Sequence, residues 1–187
     1  MLTSLLGLFI IGFVVVLSVG YFVSVYNSLI RVKHNIEKAW KNIDVLLKQR
    51  RDELVKLMDT VKAHMRYEQN LLRELTKART SYESAGTVAQ KAEADRLMTR
   101  AFRSLFAVAE NYPQISASQS FGHLEKRISE LEDQISDRRE FYNDSVYTYN
   151  MRIEQIPYSF IASMLGYHRK EYFKVEEEEK ADVKIEL

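Results

Sequence analysis

The chain has 187 residues, 28% of them charged, with a net charge of +1. That balance leaves no electrostatic footprint for nucleic acid. The absence of cysteine removes disulfides, thiolate catalysis and Cys-based zinc sites.

The first thirty residues carry no charge, and Arg31 is the first charged side chain. Leu5 to Val25 reads LLGLFIIGFVVVLSVGYFVSV. At about 1.5 Å per residue this run reaches roughly 32 Å, against a hydrocarbon core of about 30 Å. The uncharged start and the long apolar run depart from a cleaved secretory signal, so residues 1–26 read as a retained transmembrane anchor. Arg31, Lys33, Lys38 and Lys41 follow the span and no basic residue precedes it. The positive-inside rule then places the body in the cytoplasm and the short start outside. Tyr21, Tyr26, Asn27, Arg31 and Lys33 are the expected membrane-interface residues. Gly20 and Ser24 form one small-xxx-small pair in the span.

Between Tyr21 and Ala85 there is neither glycine nor proline, which favours one very long helix. Apolar residues recur at Leu29, Val32, Ile36, Ala39, Ile43 and Leu46, then Leu54, Leu57, Val61, Met65, Leu72 and Leu75. Helix 1 is predicted from about Asn27 to Ser81, with a loop at Ser84-Ala85-Gly86-Thr87. Helix 2 follows Ala94, Leu97, Met98, Ala101, Leu105, Val108 and Tyr112, and Pro113 stops it. Helix 3 carries a near-heptad row from Phe121 through Leu124, Ile128, Leu131, Ile135, Arg138, Tyr142, Val146, Tyr149 and Ile153 to Ile156, ended by Pro157. A short apolar helix, Phe160 to Leu165, closes at Gly166. The fold class is all-α: an N-terminal transmembrane helix, then an antiparallel bundle of three long helices plus a short C-terminal one. Residues 27–166 form the bundle domain. Residues 167–187 form an acidic tail, disordered or a short strand over Val183 to Leu187, with a solvated run at Glu176 to Glu179.

These helices differ in length. Beyond the anchor, helix 1 spans roughly 80 Å, helix 2 about 36 Å and helix 3 about 57 Å. The membrane-proximal flank of helix 1, with Ile36, Ala39, Trp40 and Ile43, is therefore expected to lack a partner within the chain. The far end of helix 3, with Tyr142, Asn143, Val146, Tyr149, Asn150 and Ile153, overshoots in the same way. Neighbouring copies are expected to cover both, which makes these ten residues a predicted oligomer interface. The alternative is that helix 1 bends and packs on itself.

A tandem of Tyr142-Asn143 and Tyr149-Asn150, seven residues apart, returns to one helix face. Buried tyrosine carries its hydroxyl to a polar edge, and asparagine sets register between elements. Together with Tyr26-Asn27-Ser28-Leu29, Ala39-Trp40, Ile43-Asp44-Val45, Leu47-Lys48, Arg51-Asp52, Thr60-Val61-Lys62 and Ala78-Arg79, this tandem resembles the LemA family. Ala109-Glu110-Asn111-Tyr112-Pro113, Leu131-Glu132, Ile135, Arg139, Ile156-Pro157 and Ala162 extend the resemblance over nearly the whole chain. One departure is Leu54-Val55-Lys56, where many relatives carry a proline. The resemblance implies a bacterial inner-membrane protein with one span, a helical-bundle body on the cytoplasmic side and no agreed biochemical activity. It carries no catalytic residues, and it implies genes that lie near those of membrane proteases or other envelope proteins.

Chemistry is hard to find otherwise. His34, His64, His123 and His168 never pair at helical spacing, so no helix-borne metal site is expected. Of the carboxylates, Asp52, Asp59, Glu110 and Glu132 stand out, and Glu132 with Arg139, like Asp44 with Arg51, suits structural ion pairing. There is no Gly-rich phosphate loop, no GxSxG and no HExxH. The reading is a non-enzymatic scaffold that needs no cofactor and assembles from copies of itself at the membrane. Its partners are lipid, other copies and, by resemblance, a membrane protease or other envelope protein, with no nucleic acid. The alternative is an adaptor presenting clients to a membrane protease or signalling protein through its tail or the Phe160-to-Leu165 turn.

Overall fold

The computed structural model describes residues 2–62 and 68–174. His64, Met65, the run Glu176 to Glu179 and the segment Val183 to Leu187 lie outside them. The described chain is all-helical: α1 (Leu2–Lys62), α2 (Gln69–Ser84), α3 (Val88–Ala109), α4 (Pro113–Ser116), α5 (Gln119–Glu154) and α6 (Tyr158–Met164). Anchor and first body helix are one element, described to Lys62, and Glu68 is not helical, so helix 1 does not run unbroken to Ser81. No glycine or proline lies between α1 and α2, so no breaker residue explains the interruption. What rewards it is packing: α2 folds back along α1, as the alternative held, with Arg51 Nη1 3.9 Å from Glu83 Oε1, and lies antiparallel on α3. Tyr112 Oη donates to Glu68 Oε1 at 2.9 Å at one end of that pair, and Lys91 Nζ donates to the Tyr82 carbonyl at 3.4 Å at the other. Tertiary contacts override a merely permissive local sequence.

By its internal contacts the chain forms two compact units. Unit 1 joins Met1–Asn42 with Glu140–Lys170, and unit 2 joins Ile43–Arg139 with Glu171–Leu187. This division falls within α1 and α5, where the sequence suggested boundaries near residues 26 and 166.

In unit 1, α5 runs antiparallel to α1. The Trp40 and Tyr142 rings lie 5.8 Å apart, and Arg152 Nη1 donates to Ser28 Oγ at 2.7 Å. Val25, Leu29, Val32, Ile36 and Ala39 of α1 are buried, as are Tyr142, Val146, Tyr149 and Ile153 of α5. The spacings of three and four place each set on one helix face. The flank expected to need a neighbouring copy is thus covered by its own chain. The length argument failed because helix 1 bends back: α2 returns along α1, α3 runs parallel to α1, and α5 therefore heads towards the membrane-proximal part of α1 rather than away from it.

Beyond α5 the chain turns through α6, whose end is a paired backbone closure. Tyr167 N donates to the Ala162 carbonyl at 2.9 Å and Gly166 N to the Ser163 carbonyl at 3.1 Å. Gly166 takes φ +64°, the left-handed position that an L side chain resists. The following residues then run back along α5. Buried Asn150 clamps them: its Nδ2 donates to the Lys170 carbonyl at 2.9 Å and its Oδ1 accepts from Lys170 N at 2.8 Å.

Unit 2 brings together segments of α1, α2, α3 and α5 around one apolar interior. Leu47, Leu54 and Leu57, Leu71 and Leu75, Met98 and Leu105, and Leu131 and Ile135 are all buried in it. Within it α1 is antiparallel to α5, with Arg127 Nη2 donating to Gln49 Oε1 at 3.2 Å. The α2–α3 turn is capped reciprocally: Gln90 N donates to Thr87 Oγ1 at 3.2 Å, and Thr87 N to Gln90 Oε1 at 3.1 Å. Phe173, expected in a loose tail, is buried in unit 2 with the Arg139 guanidinium 5.7 Å from its ring. Three sequence placements shift: Leu47, not Leu46, is the buried member of the α1 row, Ile156 is exposed rather than in the α5 row, and Arg139, not Arg138, turns inward.

Asn150→Leu leaves the Lys170 amide and carbonyl without their partner and should cost about 1–3 kcal/mol. Hydrogen exchange at the Lys170 amide should accelerate well before the α1 and α5 amides do.

Candidate functional site

The most concentrated chemistry lies inside unit 2. Arg50 is fully buried (0% exposed) and Asp95 nearly so at 2%. Arg50 Nη1 donates to Asp95 Oδ1, and Arg50 Nη2 sits 3.5 Å from Glu132 Oε2. Arg139 Nη1 lies 3.6 Å from Asp95 Oδ2, so Asp95 is shared by two guanidinium groups. The Arg50 guanidinium also lies 5.4 Å from the Phe102 ring centroid. Two cations face two anions, and the cluster is electrically closed. Arg50 Nε has no hydrogen-bond partner among the described residues. A delocalised guanidinium tolerates that burial better than an ammonium, because it is weakly hydrated and forks onto two acceptors.

Three helices each contribute a charge at a position their pattern reserves for an apolar side chain. In α1 the buried row runs Ile43, Leu47, Arg50, Leu54, Leu57, and in α3 it runs Asp95, Met98, Phe102, Leu105. Arg139 stands between Ile135 and Tyr142 on α5. Sequence reasoning missed Arg50 and Asp95 because it treated the charged stretch after Leu46 as a gap in the row. The signal was there: spacings of four, three, four and three continue through Arg50 without a break.

The four residues proposed for structural ion pairs have partners on other helices. Glu132 lies by Arg50 and Arg139 by Asp95, as above; Asp44 Oδ1 is 3.8 Å from Lys91 Nζ and Arg51 Nη1 is 3.9 Å from Glu83 Oε1. Arg51 Nε also lies 3.2 Å from Asp52 Oδ1. Tyr82 shares this second cluster, with the Lys91 ammonium 3.5 Å from its ring centroid. Burial, then the Asp44 and Asp52 carboxylates, push the Tyr82 hydroxyl up to about 12, against the opposing pull of Arg51.

The predicted oligomer-interface residues are placed otherwise. Ile36, Ala39, Tyr142, Val146, Tyr149, Asn150 and Ile153 are buried in unit 1, and Ile43 is buried in unit 2. Trp40 and Asn143 are half-buried, Trp40 against Tyr142. Eight of the ten are thus enclosed by their own chain. Burial, and then the neighbouring Tyr167, raise the Tyr149 hydroxyl above its ordinary range. Of the membrane-interface residues, Tyr21, Tyr26, Asn27 and Arg31 are exposed, while Lys33 sits half-buried with Nζ 5.1 Å from the Tyr167 ring. The apolar part of α1 is different in kind. From Leu5 to Val23 its large side chains are exposed, and the stretch is long and apolar enough to cross a membrane. No group of three His, Asp or Glu suited to a metal ion occurs among the described residues. His34 Nδ1 lies 3.0 Å from Glu37 Oε2 on the surface of α1.

An uncovered apolar helix that runs directly into an all-helical, charge-knotted body defines a membrane-associated helical protein. The description that matches residues 39–187 is the LemA family, and the chain belongs to it. It is similar to magnetosome protein MamQ 2 of Paramagnetospirillum magneticum, 28% identical over 85% of this chain and 70% of that one. It is also similar to protein LemA of Metamycoplasma hominis, 27% identical over 94% of this chain and 81% of that one. Magnetosome protein MamQ of Magnetospirillum gryphiswaldense is 34% identical over a shorter stretch, 43% of this chain and 29% of its own.

Asp95→Ala deprives the fully buried Arg50 guanidinium, and the half-buried Arg139, of their shared carboxylate and should destabilise the protein by about 3–5 kcal/mol. Replacing Arg50 by Met in the same chain should recover part of that loss in urea unfolding, since one stranded charge is gone. A second expectation concerns alkaline pH. The unfolded chain releases the Tyr82 proton near 10.0, whereas the folded chain holds it to about 12. Stability from this group is therefore complete below 10 and declines as pH rises towards 12. Tyr82→Phe should flatten that part of the decline in unfolding measured across the window.

Proposed function

We propose that this LemA-family chain is a non-catalytic, single-pass scaffold that self-assembles at the bacterial inner membrane. Its body lies on the cytoplasmic side and the residues before the span lie outside, as the basic residues after the span favour. The observation that carries the reading is the unbroken passage of α1 from its uncovered apolar stretch into the core of unit 1. A body attached by a continuous helix presents its surface at a fixed height above the lipid. The charged side chains most suited to acid–base work are engaged with one another across helices, which supports a structural role. Contact between copies falls to outward-facing apolar residues of unit 1: Phe141, Tyr147 and Met151 are exposed along α5.

Two relatives bear the name magnetosome protein, and that name alone does not transfer a role to this chain. The mass of the full chain in mild detergent tests the proposal. Several copies per particle are expected, and Phe141→Lys with Tyr147→Lys should reduce the particle to one copy with helical content unchanged. A single copy for the unsubstituted chain contradicts self-assembly and favours the adaptor reading, in which the body presents a client to a membrane protease or other envelope protein.

A further inference from the structure

α6 and the residues around it break the pattern of a water-facing helix. From Gln155 to Tyr167 there is no charged residue, in a chain that is 28% charged. Ile161 and Ala162 are buried, so one face of α6 is used inside unit 1. The opposite face should then be polar. Instead Phe160 and Met164, four apart on α6, are 68% and 78% exposed, and Ile156, in the turn just before α6, is 79% exposed.

The register of unit 1 says where this face lies. Tyr142 stands by Trp40 and Arg152 by Ser28, so advancing along α5 means moving down α1 towards its apolar stretch. α5 ends at Glu154, just past the level of Ser28, and the chain has returned to Lys33 by Tyr167. The segment between turns round at the foot of unit 1, where protein cover on α1 begins at Val25 and where Tyr21, Phe22 and Val23 are bare. Exposed Arg31, three residues along α1 from Ser28, and exposed Lys170, held at Asn150, lie just above this foot.

We propose that α6 is a second membrane contact: Ile156, Phe160 and Met164 sit in the headgroup–acyl boundary of the bilayer that α1 crosses, with Arg31 and Lys170 against anionic headgroups. The apolar face of α6 continues the lipid-facing surface of α1, and the flanking cations suit an anionic leaflet. Helix and span together fix the body upright, as two contacts rather than one. The inference rests on the membrane-anchored reading above and does not depend on self-assembly.

The chain has no cysteine, so single-site labelling is direct. Phe22→Cys, Phe160→Cys, Met164→Cys and Phe141→Cys are each labelled with an environment-sensitive fluorophore in full-length protein, in nanodiscs containing phosphatidylglycerol. Lipids spin-labelled near the headgroup should quench most of the emission at positions 22, 160 and 164 and little at 141. Probes at 160 and 164 that match 141 while 22 is quenched overturn the α6 contact and leave the anchor standing. Probes at 160 and 164 shielded from aqueous iodide yet not quenched by lipid also overturn it, in favour of a protein cover. Loss of quenching at 22 as well overturns the anchored reading itself.

Discussion

An α-helix bends only at a cost, so α1 must satisfy two solvents with one unbroken rod. Its upper residues obey the rule for a water-soluble core, with an apolar stripe at spacings of three and four and polar residues elsewhere. Its first residues obey the rule for lipid, apolar all round. The change falls near Val25 to Arg31, where protein cover and charge both begin. In unit 1, α5, the α6 turn and the Asn150 clamp all pack beside the water-facing part of that rod.

The interior of unit 2 shows a different choice. Burying Arg50 and Asp95 where leucine would fit adds little stability, since desolvation consumes most of the attraction. What such a cluster supplies is discrimination: sliding α1 against α3 by one turn would leave a guanidinium facing Met98 or Ala92 instead of a carboxylate. An apolar stripe alone is tolerant of such slips. The second set of pairs, around Asp44, Lys91, Tyr82 and Arg51, lies nearer the surface and adds orientation between α1, α2 and α3 at lower desolvation cost.

Much of this was legible in the residues. The uncharged start, the rows on α1, α3 and α5, the stops at Pro113 and Gly166, and the all-helical class follow from periodicity and breakers. Three things did not. The break before α2 has no local cause, because nothing in the sequence there forbids helix; the return of α2 along α1 decides it. Arg50 and Asp95 were hidden by the habit of reading a charge as the end of an apolar row. Residues 167–174 hold their place through one amide on a backbone and one buried Phe173, contacts that leave no periodic trace. The expectation of a bare flank had another source: taking helix 1 as unbroken to Ser81 set α5 running away from the membrane-proximal part of α1, whereas it runs back along it.

The central claim is that the membrane-proximal face of α1 is sheltered by α5 of the same chain. A short thiol cross-linker applied to full-length Ser28→Cys, Arg152→Cys in lipid nanodiscs tests it directly. The account requires a link within one chain, running as a single copy on a denaturing gel. Links that join two chains, with single copies left unlinked, would show that another molecule supplies the cover.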